Sequence, residues 1–313
     1  MFSESDSRSF VSSRPKPEWI HMQKVVSNSL EVFIELFGRT DVGRLRQHNE
    51  DSFMVADLTT GRRNLLPEIR RHRIGSKGTI LVVCDGMGGA AAGELASQTA
   101  VDTIYTELCR LEQNTSLEQM IAGISQSMST ANKRIFDLAR CDASRVGMGT
   151  TCSLAAIFKN ILLAAQVGDS RVYLIRGNQI VQVTRDQSLL NQLLETGQIE
   201  EKDIPNFQHS NVILQALGVV ERVNPVFTMV ELERDDVVLV CSDGLTGPLD
   251  DGVIKDIVKT LSSDLVEMCK YLTTKANDAG GPDNITVLAA QVRGSGLPSS
   301  GKEVTVVPCN HPT

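Results

Sequence analysis

Two tight polar turns constrain the fold of this chain more than any other feature. Lys159-Asn160 joins the apolar run 151–158 to 161–167, and Arg176-Gly177-Asn178 joins 171–175 to 179–183. Strands connected this closely pair as antiparallel hairpins, because a parallel partner needs a crossover of about a dozen residues. A doubly wound parallel sheet is thereby disfavoured. Further short β-branched runs stand at 53–57, 79–84, 226–231, 237–241 and 285–292. Apolar periodicity predicts helices over about 90–111, 117–140, 187–196, 251–260 and 262–276. Hairpin-built sheets with a few long helices to cover their outer faces imply a layered α+β body.

The polar, serine- and proline-containing residues 1–20 read as a flexible lead-in, and 22–37 fits either a short amphipathic helix or an edge strand. Residues 1–38 are accordingly expected to form an N-terminal extension, 39–294 the folded domain and 295–313 a tail. Two inserts interrupt the domain. Residues 58–78 carry Arg62, Arg63, Arg70, Arg71, Arg73 and Lys77 against Glu68, and read as a solvated hairpin loop or as a docking patch for an acidic or phosphorylated partner. Residues 185–215 read as a flap beside an active site.

Composition works by exclusion. No apolar run reaches the roughly 20 residues of a membrane span, and no basic-apolar leader opens the chain, so the expectation is a cytoplasmic protein. A formal charge of -7 argues against a general nucleic-acid coat. The seven cysteines form no C-x-x-C pair, and Cys84, Cys152 and Cys241 sit inside apolar runs, as reduced buried thiols do. Five scattered histidines leave no room for H-E-x-x-H or a histidine-rich metal centre.

The acidic residues carry the chemistry. ILVVC ends in Asp85-Gly86-Met87-Gly88-Gly89, VVLVC in Ser242-Asp243-Gly244, and LLAAQV in Gly168-Asp169. Gly-Gly-Pro-Asp283-Asn284 precedes ITVLAAQV, and Asn49-Glu50-Asp51 precedes SFMVA. Taken singly, each Asp-Gly reads as a turn. Together, carboxylates at many strand boundaries can share one rim of a sheet, where their mutual repulsion calls for a hard cation. Oxygen donors alone suit Mg²⁺ or Mn²⁺ rather than zinc. DGMGG lacks the rest of a phosphate-cradling P-loop, so nucleotide binding is a weak reading.

In order, TDVGRLRQHNED (40–51), VVCDGMGGAAAGE (82–94), GMGTTCSLA (147–155), VGDSRVYLIR (167–176), TRDQSLLNQLLETGQI (184–199), QALG (215–218), CSDGLTG (241–247) and GGPDNITV (280–287) resemble the PP2C-class (PPM family) metal-dependent serine/threonine protein phosphatases of compact bacterial type. The resemblance implies a four-layer α-β-β-α sandwich of two antiparallel sheets flanked by helices, with a metal cleft at one end. It implies two Mn²⁺ or Mg²⁺ ions, bridged by Asp85, with the Gly86 carbonyl on one of them. Asp243 and Asp283 would complete one site; Asp51, with Glu50 through water, would belong to the other. Asp169, aided by Asp243, would hold a weaker third ion, and Arg46 would clamp the phosphoryl group. The family's eukaryotic acid histidine is Met87 here, as is common in bacterial relatives, which leaves a metal-bound water or His48 to protonate the leaving group. Gln187 stands where the flap usually has histidine, and Gln215 replaces an arginine before ALG. The implied activity is hydrolysis of phosphoserine and phosphothreonine on proteins by a monomer, with a serine/threonine kinase or its targets as the implied partners. A related hydrolase with a non-protein substrate and a silent phosphoprotein-binding scaffold are the alternatives.

Overall fold

The computed structural model describes residues 31–63, 70–207, 209 and 211–309. Its strands are β1 (Phe33–Asp41), β2 (Ser52–Asp57), β3 (Arg62–Arg63), β4 (Arg70–Arg73), β5 (Thr79–Cys84), β6 (Gly86–Met87), β7 (Gly149–Thr150), β8 (Cys152–Phe158), β9 (Ile161–Val167), β10 (Arg171–Arg176), β11 (Gln179–Gln182), β12 (Val226–Glu231), β13 (Val237–Cys241), β14 (Ile285–Arg293) and β15 (Val307–Cys309). The helices are α1 (Ala90–Cys109), α2 (Leu117–Arg140), α3 (Leu189–Glu195), α4 (Asp243–Thr246), α5 (Asp251–Leu261) and α6 (Leu265–Asp278).

One sheet runs β15-β12-β9-β8-β5-β2-β3 and the other β11-β10-β13-β14-β1-β4, with every pairing antiparallel. Both hairpins expected at Lys159-Asn160 and Arg176–Asn178 are present. Lys159 takes φ 57 in the first of them, and Gly177 φ 58 in the second.

The sheets pack face to face through Leu81, Val83, Ala155 and Leu162 on one side and Ile34, Leu36, Val240 and Leu288 on the other. The outer face of the first sheet, with Ile80, Val82 and Leu163, is covered by Ile104, Leu108, Ile124 and Met128 of α1 and α2. The outer face of the second, with Leu239 and Val287, is covered by Ile254, Val258, Met268 and Leu272 of α5 and α6. The architecture is therefore α-β-β-α. Because both faces of each sheet are buried, TILVVC is buried at every residue and reads as a continuous apolar run instead of an alternating one. Ser116 and Gln119 close a capping box that fixes the start of α2, worth about 1 kcal/mol.

The body extends beyond the expected limits of 39–294. β1 begins at Phe33 and is an inner strand, paired to β14 and β4, so the stretch ending at residue 37 supplies neither a helix nor an edge there. Val32, Ile34 and Leu36 are buried on alternate positions while Phe33 and Glu35 are half-buried. Residues 1–30, and with them the expected lead-in, lie outside the described residues. At the other end Leu297 is buried in the intersheet core, β15 pairs with the edge of β12, and Glu233 Oε2 accepts the Gly301 amide at 2.8 Å. The 58–78 insert is more than a loop: β3 extends the first sheet and β4 the second. Lys77 leaves the expected basic patch altogether. It is buried, and its Nζ donates to the carbonyls of Cys109 and Leu111 at 3.0 Å each, satisfying the end of α1.

Candidate active site

Both sheets deliver acidic strand ends to one end of the sandwich. Ser52 is opposite Cys84, so Asp51 and Asp85 leave the adjacent strands β2 and β5 at the same end. Val167 is opposite Cys152, which brings Gly168-Asp169 there through β8 and β9. Cys241 opposite Val287 places Ser242-Asp243 beside Asp283-Asn284 in the second sheet.

Hydroxyls of the second sheet tie the two rims together. Ser242 Oγ and Thr286 Oγ1 donate to Asp51 Oδ2 at 2.8 and 2.6 Å. Asp85 is held through its backbone: its amide donates to Thr151 Oγ1, and its carbonyl accepts from the Thr151 amide and Thr150 Oγ1. Asn284 organises the loop between β1 and β2, donating to the carbonyls of Val42 and His48 and accepting the Glu50 amide. Gly86 has to be glycine because a Cβ there would run into the carbonyls of Gly93 and Glu50. Gly93 in turn faces Glu50 Oε2 without room for a Cβ.

The electrostatics are those of carboxylates crowded out of water. Burial, reinforced by Asp243 and Asp283 and opposed by the two hydroxyl donors, pushes Asp51 up to about 7. Burial and the Asp51 and Asp243 charges push Asp85 well above the usual carboxylate range. Asp243 is also raised, by burial and the Asp283 charge. Burial and Asp243 raise Asp169 to about 7, so Asp243 stands electrically between Asp85 and Asp169. Glu50 is raised by burial, with Arg46 opposing. Arg46 Nη2 donates to Asp283 Oδ2 at 2.6 Å and is half exposed.

Asp51 Oδ1 and Asp243 Oδ1 are buried and find no hydrogen-bond partner among the described residues. Orphaned anionic oxygens in a cluster otherwise crowded with like charge fit a hard divalent cation. Among the described residues, no three His, Cys, Asp or Glu side chains converge as a finished ligand set. Arg46 engages Asp283, and the hydroxyls of Ser242 and Thr286 engage Asp51 Oδ2.

The protein phosphatase 2C family model matches residues 69–280. The chain belongs to that family. It is 36% identical over 253 residues to the serine/threonine phosphatase stp of Listeria welshimeri, covering 81% of this chain and 94% of that one. The solved serine/threonine phosphatase Stp1 from Staphylococcus aureus matches with a TM-score of 0.72 at 30% identity, over 83% of this chain and 95% of the other. The catalytic domain of the phosphatase PstP, solved in complex with two manganese ions, matches with a TM-score of 0.68 at 29% identity, over 84% and 99%. This chain is thus a metal-dependent serine/threonine protein phosphatase, and no described helix is long and apolar enough to cross a membrane.

Against that family the chain's departures acquire a structure. Met87 pairs with Gly149 in the small β6–β7 ribbon and offers no proton. Gln187 Oε1 accepts from the Gly168 amide at 2.9 Å and from Gln215 Nε2 at 3.0 Å, while Gln215 Oε1 accepts the Asn224 amide. The two glutamines therefore latch the flap region to the turn that carries Asp169. Motif reading missed Ser242, Thr286, Thr151 and Asn284 as organisers of the site. All four lie inside the motifs above, but nothing in the local sequence distinguishes Ser242 and Asn284 from turn residues or Thr151 and Thr286 from strand residues.

Proposed function

We propose that this phosphatase hydrolyses phosphoserine and phosphothreonine by direct attack of water on phosphorus, with no covalent enzyme intermediate. The reading is carried by the two orphaned carboxylate oxygens, Asp51 Oδ1 and Asp243 Oδ1, in the buried acidic cluster. Asp85 would bridge two Mn²⁺ or Mg²⁺ ions, Asp243, Asp283 and the Gly86 carbonyl would serve one, Asp51 and Glu50 the other, and Asp169 with Asp243 a weaker third. Bound there, divalent ions lower the pKa of a coordinated water and offset phosphoryl charge. The chain's own contribution is positioning. Ser242 and Thr286 hold Asp51 Oδ2 so that Oδ1 faces inward, and the backbone bonds of Thr150 and Thr151 fix Asp85 at the mouth of β5.

Arg46 is the cationic element of the scheme. Its half-exposed guanidinium pairs with Asp283 and is open to a phosphoryl group, whose paired oxygens its fork fits. No imidazole replaces Met87. His48 lies close enough to Glu50 for its charge to be felt there, and its backbone carbonyl is held by Asn284, which gives it a positioning role in the 42–50 loop.

The substrates we assign are phosphorylated proteins, including a serine/threonine kinase or its targets, met by a monomer in the cytoplasm. The deciding experiment is phosphate release from phosphothreonyl peptides with Mn²⁺ and with EDTA. Release in Mn²⁺ that EDTA abolishes is expected; peptide binding without turnover in Mn²⁺ would sink the reading in favour of a silent scaffold.

A further inference from the structure

The glycine-rich turn that follows Asp85 has an apolar cavity directly behind it. Its volume is about 440 Å³, and Phe136, Ala139, Val146, Met148 and Val219 line it. Val146 is 77% exposed and Val219 48%, unusual for valines on a surface with no described partner. The segment 148–151 links the cavity to the reaction centre. Thr151 bonds Asp85, Gly149 pairs with Met87, and the backbone of Met148 closes on Gly88 so tightly that a Cβ there would be 2.9 Å from Met148 Cα. Val219 and Met87 meet over Gly149, where a Cβ would touch both. An apolar surface thus runs from the residue two beyond Asp85 into the cavity.

We propose that this cavity is a specificity pocket for the phosphoprotein substrate, taking an apolar side chain two or three residues from the phosphorylated one. The inference rests on the phosphatase reading of the Asp85 centre. Thr151, which bonds Asp85, is three residue steps from Met148 through the strand Gly149–Thr150, about 10 Å at 3.3–3.4 Å each. A substrate strand crossing the site covers that span in the same number of residues. The pocket is wide enough for leucine or methionine, and it offers no carboxylate among its lining residues to repel the phosphate-bearing chain. Arg140, stacked on Phe136 with its guanidinium carbon 5.6 Å from the ring centre, adds positive charge at the rim.

The test compares phosphothreonyl peptides that differ only in carrying leucine or serine at each position two or three residues to either side. Leucine at one of these positions is expected to raise kcat/KM about five- to tenfold, the effect of partly burying its side chain. In V146S/V219S that preference should fall to within about twofold of unity, with turnover of p-nitrophenyl phosphate unchanged. Both valines are exposed, so the variant should fold; a matching melting temperature checks it. Equal turnover of leucine and serine peptides by the wild type, or a preference that survives in the double variant, overturns the pocket alone. Absence of turnover on every peptide and on p-nitrophenyl phosphate overturns the reading of the centre, and the pocket with it. A dimer in sedimentation that V146S/V219S dissolves would reassign the surface to a second copy of the chain and overturn the proposal.

Discussion

Arg46 and Gly93 show how single residues set the chemistry of this centre. Arg46 is the only basic side chain hydrogen-bonded to the described carboxylates of the cluster, through its 2.6 Å contact with Asp283. If it serves the phosphoryl group, Arg46→Ala should lower kcat/KM on phosphopeptides about 10²-fold, the scale of a lost charge-assisted transition-state contact. The half-saturating Mn²⁺ concentration should not rise, because the substitution frees Asp283 instead of removing a ligand. A rise in that concentration, measured by titration at fixed peptide, would move Arg46 from substrate to metal-site architecture. Gly93 acts sterically. A methyl group there meets Glu50 Oε2, so Gly93→Ala should displace the Glu50 carboxylate, while alanine favours the helix by about 1 kcal/mol, leaving a net stability change under about 1 kcal/mol. Chemical denaturation reads this directly, and a loss of several kcal/mol would show that Glu50 cannot yield.

The element scale explains what the sequence could and could not disclose. Asp85, Asp243 and Asp169 were legible because each ends an apolar run and adjoins glycine, a pattern that survives without tertiary knowledge. Their partners were not. Thr286 reaches Asp51 across 235 residues and Ser242 across 191, and only the closing of one sheet on the other makes them neighbours. β1 was ambiguous because Glu35, Arg39 and Thr40 interrupt its apolar positions, while its burial comes from β14 and β4 on its two sides. β15 is a three-residue edge strand containing Pro308, tolerated there because an edge leaves one side unpaired. Gln187 and Gln215 were legible as departures that bear on flap packing, but the latch they form with each other and with Gly168 was not, since two glutamines in a loop carry no periodicity. It makes a prediction of its own. Gln187→Ala removes the bond to the Gly168 amide and the link to Gln215, and should loosen the flap with little loss of global stability. Amide exchange at residues 187–217 should rise, while β5 and β14 stay protected. Uniform protection in the variant would show that the Arg171–Asp186 pair, with bonds at 2.7–3.1 Å, and the backbone bond from residue 187 to the Gly168 carbonyl hold the flap without the glutamine side chain.

At the scale of the whole molecule the acidic centre opposes the fold that builds it. Asp51 and Asp169 titrate near 7 in the folded chain because burial and neighbouring charges disfavour their ionised forms. In an unfolded chain both return to the ordinary carboxylate range, around 4. A raised folded pKa stabilises the folded state below the unfolded value, and that contribution is lost as pH rises through the folded one. The metal-free protein should therefore lose stability from about pH 4 to about pH 7, through these groups. Cation binding reverses the sign, because it requires the same carboxylates deprotonated and offsets their repulsion. At Mn²⁺ concentrations near a hundred times Kd the gain is about 2.7 kcal/mol, or roughly 4 °C for a chain of this size. Calorimetry with Mn²⁺ or EDTA should show that gain in full near pH 8 and little of it near pH 5.5, where protons hold the same oxygens. Equal Mn²⁺ shifts at both pH values would mean that the cation binds elsewhere and that the crowding of Asp51, Asp85, Asp169 and Asp243 is relieved without it.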